Sequence, residues 1–349
     1  MNDKKIIMAG LANNKTSLGE VFRRYIDCFK TFSKPDIFDL QPFTKNEEFK
    51  LDLFPQYNGP INHDIKYFHS TFNLYRAIKE NTKPFPKNPD VKKIGYFVWE
   101  SSELHNEDAK VLKDFDEIWT ASHYCKDIFS QYIDSNFIKV VPHPIPIPDK
   151  LPKKYKNFTI LIIGNISSNV DRKNIVGNLE VAKIIKSKYK DVNIIFKTFT
   201  GSDYERTLLK QIVGNSKIKV IDEYYSSEKV QELIGKCHVL LSLHRSEGFG
   251  LTLAEAMAVG TIPIATGYSG NVDFMKDNNT LIDYKLIDVN IPYFKGQWAN
   301  PNKNDAVEKI INFLNKNIND HDYISKIKNE VKNTLSFSSI SNITKMSII

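Results

Sequence analysis

The sequence predicts an α/β protein built from two doubly wound domains, and three observations carry that prediction. Short apolar strand-like runs alternate with helix-length segments along most of the chain, the rhythm of parallel sheets covered by helices. At 144–157 the stretch PIPIPDKLPKKYKN packs four prolines and four lysines into fourteen residues and interrupts that rhythm as a linker. Past the linker the alternation starts afresh. The boundaries read from this are 1–150 for a first domain, 151–325 for a second, and 326–349 for a helical tail.

In the first half, residues 5–9 form a strand candidate and 10–18 a polar loop, with Gly19 and Glu20 opening the amphipathic stretch 21–32. Over 40–90, Pro42, Pro55, Pro60, Pro84, Pro86 and Pro89 imply long loops. The run 93–100, KIGYFVWE, reads as a buried strand ending in Trp99 and Glu100, at the end of a strand where open α/β sheets hold ligands. A helix at 107–113, a strand at 117–122, a helix at 126–133 and a strand at 138–141 follow, closing on Pro142-His143-Pro144. Asp114-Phe115-Asp116 has a spacing that can hold a divalent metal. It stands directly before an apolar strand with Glu117 adjacent, and reads as a solvated turn. The eight histidines fall in no ligand spacing.

In the second half, strands at 158–163, 192–198 and 218–221 alternate with helices at 175–188, 204–213 and 228–234. Between the first strand and helix lies Gly164-Asn165 and then Asp171-Arg172-Lys173-Asn174. Two cations just before a helix N-terminus make a clamp for a diphosphate. The densest stretch is 238–266, HVLLSLHRSEGFGLTLAEAMAVGTIPIAT. It reads as an apolar strand (239–243), a turn carrying Glu247-Gly248-Phe249-Gly250, a short helix begun at Thr252 and stopped by Gly260, and a second strand (262–265). Gly248 and Gly250 let backbone approach a ligand closely, and the helix start offers N–H groups to an anion. Glu247 on the turn and Glu255 a helical turn inside can face one crevice. From 305 onward the chain is helical and amphipathic.

Composition narrows the class. Apolar residues at 41% and charged residues at 26% are those of a globular protein. No apolar run approaches the ~18 residues of a spanning helix, and no signal-peptide core follows Met1. Cys28, Cys125 and Cys237 are scattered and odd in number, which suits a reducing compartment and a cytoplasmic protein. Residues 1–150 hold 21 Lys+Arg against 21 Asp+Glu, and 151–349 hold 27 against 20, so the whole excess of +7 sits in the second half. An anionic small ligand there explains the asymmetry, and an anionic membrane surface would fit as well. No basic–aromatic motif or helix–turn–helix pattern supports nucleic acid as a partner.

The two glutamates separated by seven residues around E-G-F-G-L, followed by E-A-M-A-x-G-x-P, resemble the signature of the retaining family-four (group 1) glycosyltransferases. The run 95–144, with W-E … D-E-I-W-x-x-S … P-H-P, resembles a subset of that family, as do 267–275 and 296–299. The resemblance implies the GT-B architecture, two Rossmann-like domains facing across a cleft, with the tail crossing back to the first. It implies that Glu255 accepts hydrogen bonds from the donor ribose and that Glu247 sits by the donor sugar. The amides of Gly248, Phe249, Gly250, Leu251 and Thr252 would contact sugar and diphosphate; most relatives carry proline where this chain has Thr252. Arg172 and Lys173 match the family's phosphate-binding basic pair, and Asn165 stands where many relatives have arginine. Gly19 is the best match for the small residue beside the donor phosphates, and Tyr224 (or Tyr225) would stack on the nucleobase. Trp99 and Glu100 would line the acceptor side, while a first-domain histidine is not assignable among His63, His69 and His105.

The activity so implied is metal-independent, cofactor-free, retaining transfer of a hexosyl unit from a nucleotide-diphosphate sugar. The acceptor would be a glycan or lipid-linked oligosaccharide at the cytoplasmic face of a membrane. Two alternatives stay open from sequence: a nucleotide-sugar epimerase on the same fold, and a non-catalytic nucleotide-sugar-binding protein. A dinucleotide-dependent dehydrogenase is disfavoured, because no G-x-G-x-x-G follows either leading strand.

Overall fold

A computed structural model describes residues 4–44, 50–59, 62–81, 91–166, 170–315 and 321–348. Pro60, Pro84, Pro86 and Pro89, read above as loop markers, lie outside the described residues. The chain runs β1 (Ile6–Gly10), α1 (Ser17–Lys30), β2 (Asp36–Asp39), β3 (Ile65–His69), α2 (Phe72–Asn81), β4 (Lys92–Tyr96), α3 (Asn106–Leu112), β5 (Glu117–Thr120), α4 (His123–Phe129) and β6 (Ile138–Val140). It continues with β7 (Thr159–Ile163), α5 (Val170–Lys173), α6 (Ile175–Lys188), β8 (Asn193–Thr198), α7 (Asp203–Val213), β9 (Lys219–Asp222), α8 (Ser227–Lys236), β10 (Val239–Ser242), α9 (Leu251–Ala258) and β11 (Ile262–Thr266). Last come β12 (Leu281–Ile282), the hairpin strands β13 (Tyr284–Ile291) and β14 (Phe294–Pro301), and helices α10 (Lys303–Asn315), α11 (His321–Leu335) and α12 (Phe337–Ile348). No helix among the described residues is long and apolar enough to cross a membrane.

Two compact units result. One comprises Met1–Pro144, Pro292–Lys295 and Thr334–Ile349; the other comprises Ile145–Ile291 and Gly296–Asn333. Each is built on a six-stranded parallel sheet, in the orders β2-β1-β3-β4-β5-β6 and β12-β11-β10-β7-β8-β9. Strands covered on both faces must be apolar along their length, and β1 (IIMAG) and β11 (IPIAT) are buried at every position.

In the first unit, α1 presents Phe22, Tyr25, Ile26 and Phe29 to the sheet, and α12 packs against it from the chain's far end. α4 opens on a side-chain cap, where the Ser122 hydroxyl accepts from the amide of Cys125. β4 is shorter than the hydrophobic run suggests. The ladder stops at Tyr96, and Phe97 is buried instead by stacking on Phe72 at 4.5 Å, so Trp99 and Glu100 stand on irregular chain beyond the strand. Hydrophobicity marked burial there, not extension. The sequence also passes over β2, β3 and α2, the last two inside the proline-marked segment. Asp114 pairs with Lys79 at 2.7 Å and Asp116 accepts the Lys93 amide at 2.7 Å, so each carboxylate of the D-x-D turn has a partner.

Under β3 and β4 lies a buried polar network. The Tyr25 hydroxyl donates to Val141 O at 2.7 Å, and the Tyr96 hydroxyl lies 3.0 Å from His143 Nδ1. His69 stacks on Tyr96 at 4.4 Å. Burial, with the Arg24 guanidinium adding to it, pushes the His143 imidazole down to about 3, and burial and His143 hold His69 well below its ordinary value.

Both rings are therefore neutral in the folded protein and take up protons on unfolding. A depressed imidazole contributes stability that is complete above the unfolded value of roughly 6.5 and is lost as pH falls toward the folded value, at about 1.4 kcal/mol per pH unit for each ring. The thermal midpoint should fall steadily between pH 6.5 and 4, and His143→Asn should flatten that slope. A midpoint independent of pH across this window contradicts the buried neutral imidazoles.

Candidate functional site

The sheet order of the second unit creates its own crevice. From β7 the chain moves to β8 and β9 on one side, then returns to place β10 on the other. The loops leaving the carboxyl ends of β7 and β10 therefore diverge, and open α/β sheets bind ligands at such a switch point. The basic pair of α5 lies on one of these loops and Glu247 on the other.

The two loops meet through a buried ion cluster. Lys173 Nζ forms an ion pair and hydrogen bond with Glu247 Oε1, and Arg172 Nη1 lies 3.3 Å from the same oxygen. Arg172 Nη1 also donates to Ser246 O at 2.7 Å, and the Arg245 amide donates to Arg172 O at 2.7 Å. Glu247 is only 7% exposed. Burial alone would raise its carboxyl, but the Lys173 ammonium, the Arg172 guanidinium and His244 outweigh that and hold it well below the usual carboxylate range. Glu247 is thus an anion at neutral pH and has no proton to give.

Several residues that the sequence reading did not single out hold this arrangement. Asn178 of α6 accepts the Leu243 amide at 2.8 Å and donates to Lys173 O at 3.1 Å and Asn174 O at 2.8 Å, tying both loops to one side chain. Ser269 Oγ accepts the Glu247 amide at 2.8 Å, and Glu247 O accepts the Gly270 amide at 2.8 Å. A Cβ at Gly270 would stand 2.3 Å from Gly248 O, so only glycine lets this turn lie against the Glu247 loop. Asn271 donates to Thr266 O at 3.0 Å and turns its Oδ1 to His244 Nε2 at 3.0 Å, which makes Nε2 the protonated nitrogen. The signal available in the sequence was Asn178, an uncharged polar side chain inside the largely apolar stretch IVGNLEVA.

α9 begins differently from the expectation. Gly250, at φ 92°, is the N-cap, and Thr252 falls inside the first turn, so glycine rather than threonine starts the helix. A glycine cap has no side chain to occupy the amides, which leaves the helix start open to an outside anion. Glu255 lies farther along α9, 7% exposed. The Phe249 ring packs on Phe274 at 5.1 Å, and Gly260, at φ 68°, terminates the helix as expected.

The structure thus brings Arg172, Lys173, Glu247, Gly248, Phe249, Gly250, Leu251, Thr252 and Glu255 onto two adjoining loops and one helix. Asn165 is exposed just past β7 on the same connection. Tyr224 is exposed beyond β9, the edge strand two places from β7, and its ring meets Phe199 edge-on at 6.1 Å. Gly19, Trp99 and Glu100 belong to the first unit. Gly19 has a packing reason of its own: a Cβ there would stand 2.3 Å from Asn14 O. Trp99 donates its indole N–H to Glu103 O at 2.7 Å and packs against Phe72 and Phe294.

A family model described as glycosyl transferases group 1 matches residues 146–330, just over half of the chain. An uncharacterized glycosyltransferase of Methanocaldococcus jannaschii is 25% identical over 225 residues, covering 61% of this chain and 57% of that protein. The chain spans about three fifths of the length of the curated relatives it matches. Among solved structures, Anabaena HepE in complex with UDP-glucose superposes with a TM-score of 0.68 at 11% identity, covering 99% of each chain. Staphylococcus aureus TarM, in a complex that includes UDP, gives 0.60 at 16% identity over 80% of this chain and 54% of that one. These likenesses show the GT-B fold.

Replacing Asn178 by leucine, close in size, leaves the buried Leu243 amide without its acceptor. The expected cost is roughly 1–3 kcal/mol, read as a lower urea midpoint at unchanged m-value. A midpoint equal to that of the unaltered protein would remove Asn178 as the tie between the loops.

Proposed function

The chain belongs to the group 1 glycosyl transferases, and on that premise we propose that it transfers a hexosyl unit from a nucleotide-diphosphate sugar to a glycan or lipid-linked oligosaccharide, retaining the anomeric configuration and using no metal ion. The observation that carries the reading is the convergence of Arg172 and Lys173 on Glu247 at the sheet's switch point, next to the glycine-capped start of α9. HepE bound to UDP-glucose and TarM bound to UDP support a nucleotide-sugar donor by likeness of fold.

In this reading the donor diphosphate lies against Arg172, Lys173 and the first amides of α9. The bond from C1 of the sugar to the phosphate oxygen breaks, and its electron pair leaves with the diphosphate. The two cations supply the positive charge that a metal would otherwise bring to that oxygen. The acceptor hydroxyl bonds to C1 from the face the diphosphate vacates, and its proton passes to the departing phosphate. No side-chain nucleophile takes part. Glu247, held ionised, accepts hydrogen bonds from the sugar hydroxyls and steadies the oxocarbenium-like charge; it does not act as an acid. Glu255 holds the ribose, Tyr224 stacks on the base, Gly19 and Asn165 border the phosphates, and Trp99 and Glu100 contact the acceptor. An acceptor carried on lipid would place the reaction at a membrane surface.

Thermal unfolding with UDP-, GDP-, dTDP- and ADP-sugars, each with EDTA, tests the donor. At a hundred times its Kd the right donor adds about 2.7 kcal/mol, and the shift should survive EDTA and shrink in Glu255→Ala. A shift abolished by EDTA would end the metal-free reading, and none with any donor would end the donor site itself.

Transfer kinetics test the cation. Removing one electrostatic donor to a leaving group costs roughly 100-fold or more in kcat, and Lys173→Gln should show a loss of that size with an α-linked product from an α-linked donor. An effect under twofold, or an inverted product, contradicts the mechanism.

A further inference from the structure

The second unit also carries a cavity of about 560 Å³ at the amino-end side of its sheet. That volume lies within the roughly 300–1,000 Å³ of small-ligand sites. Its wall is the C-terminal half of α6, with Lys183, Lys186 and Ser187, then Lys190 on the way to β8, and the connection from α7 to β9, with Val213, Ser216, Lys217 and Ile218. Both connections lead into the amino ends of strands, whereas the Arg172–Lys173–Glu247 cluster lies on loops leaving the carboxyl ends. α6 starts two residues after Lys173 and runs fourteen residues, so at 1.5 Å per residue the cavity and the cluster are roughly 20 Å apart along one helix.

Four lysines line this cavity, and among the described residues none of them forms an ion pair with a carboxylate. The acid on the same helix, Glu180, is turned to Lys303 at 2.7 Å, and the nearest acid in sequence, Asp191, is exposed. Lys183 donates to Ile212 O at 3.1 Å, and Lys186 to Lys190 O and Val192 O, both at 2.7 Å. These bonds hold two ammonium groups in place before any ligand arrives, which lowers the entropy cost of binding. Lys190 and Lys217 are exposed at the rim. The Ser216 hydroxyl is buried at the wall with no hydrogen-bond partner among the described residues. Val213, Ile218 and the lysine stems make the floor apolar, and Ile184, 38% exposed on the same stretch of α6, extends that apolar surface outward.

The lining selects its ligand class. No aromatic ring is present on which a base or a sugar could stack, and four cations with one waiting hydroxyl are more than a neutral ligand needs. We propose that this cavity is a second binding site, for a phosphate group, separate from the transfer site. A phospholipid headgroup and a soluble phosphate share that chemistry. The site stands apart from the proposed transfer reaction, since none of its residues belongs to the Arg172–Lys173–Glu247 cluster.

The test uses the full chain and the double variant Lys190→Gln/Lys217→Gln, whose side chains are exposed and hold no carbonyl. Binding is measured to vesicles of phosphatidylglycerol in phosphatidylcholine, to pure phosphatidylcholine vesicles, and to inorganic pyrophosphate. A charge-matched control, Lys285→Gln/Lys328→Gln, alters two lysines that do not line the cavity. The unaltered protein should bind a phosphate probe, and the cavity variant should lose roughly tenfold or more of that affinity, with Ser216→Ala weakening it further and the nucleotide-sugar thermal shift unchanged. Binding to phosphatidylglycerol vesicles alone would make the ligand a membrane phosphodiester; binding to pyrophosphate would make it soluble. No binding to either probe, or an equal loss in the charge-matched control, overturns the site.

Discussion

One carboxylate shared by two cations governs the architecture of the second unit. Glu247 is buried, and burial disfavours its charge, yet Lys173 and Arg172 more than offset that penalty. Taken as a stability device the cluster is weak, because desolvating three charged groups consumes much of what their attraction returns. Its effect is on position. The loops after β7 and β10 have no sheet contact with each other at their tips, and the cluster fixes one against the other, assisted by Asn178 and the Arg245–Arg172 backbone bond. The cluster as it stands carries two positive charges and one negative. Arg172 is buried and Lys173 partly exposed, and Glu247 holds both ordered.

That same anion explains why the site needs so much second support. A buried carboxylate shared by two cations keeps one position only if its backbone is held as well. The pin is the turn at Ser269 and Gly270, which binds the Glu247 amide and carbonyl in reciprocal fashion. Ser269 takes φ 78°, an unusual conformation for a non-glycine residue, and Gly270 admits the close approach of Gly248. His244, packed at the base of the same loop, has its imidazole pushed below its ordinary value chiefly by burial.

What could be read from the sequence divides along the reach of each constraint. α6 was legible at both ends, Ile175–Lys188, because helix periodicity and the preceding basic turn are local. The strand pair β10 and β11 and the glutamate loop were legible for the same reason, being one contiguous string. β3 was not, because IKYFH hides Lys66 and His69 inside a sheet, and burial of those polar groups is decided by partners far along the chain. Nor was Gly270, whose meaning comes from a carbonyl 22 residues earlier. The hydroxyl of Thr252 suits a helix start, but the left-handed turn at Gly250 decides the start instead.

α6 links these observations into one physical picture. Its amino end lies beside Lys173, where the helix dipole adds to the two cations in favouring an anion, and Asn174, at φ 49°, bends the chain so that its own side chain caps that end. Its carboxyl end favours positive charge, and Lys186 and Lys188 stand in its last turn, with Lys186 donating to the carbonyls of Lys190 and Val192 just beyond the helix. Lys183 serves the end of α7 in the same way through Ile212 O. Capping therefore accounts for two of the four lysines at the far cavity. It does not account for Lys190 and Lys217, nor for the buried Ser216 hydroxyl, and it gives no reason why no carboxylate among the described residues pairs with them. A surface shaped only by helix termini would balance its charge locally, as Lys303 with Glu180 and Lys309 with Asp305 do elsewhere in the unit. The excess of positive charge in the second half of the sequence is thus not spread evenly. Part of it is gathered at the two ends of one helix, at one end around a carboxylate and at the other around an uncompensated cavity.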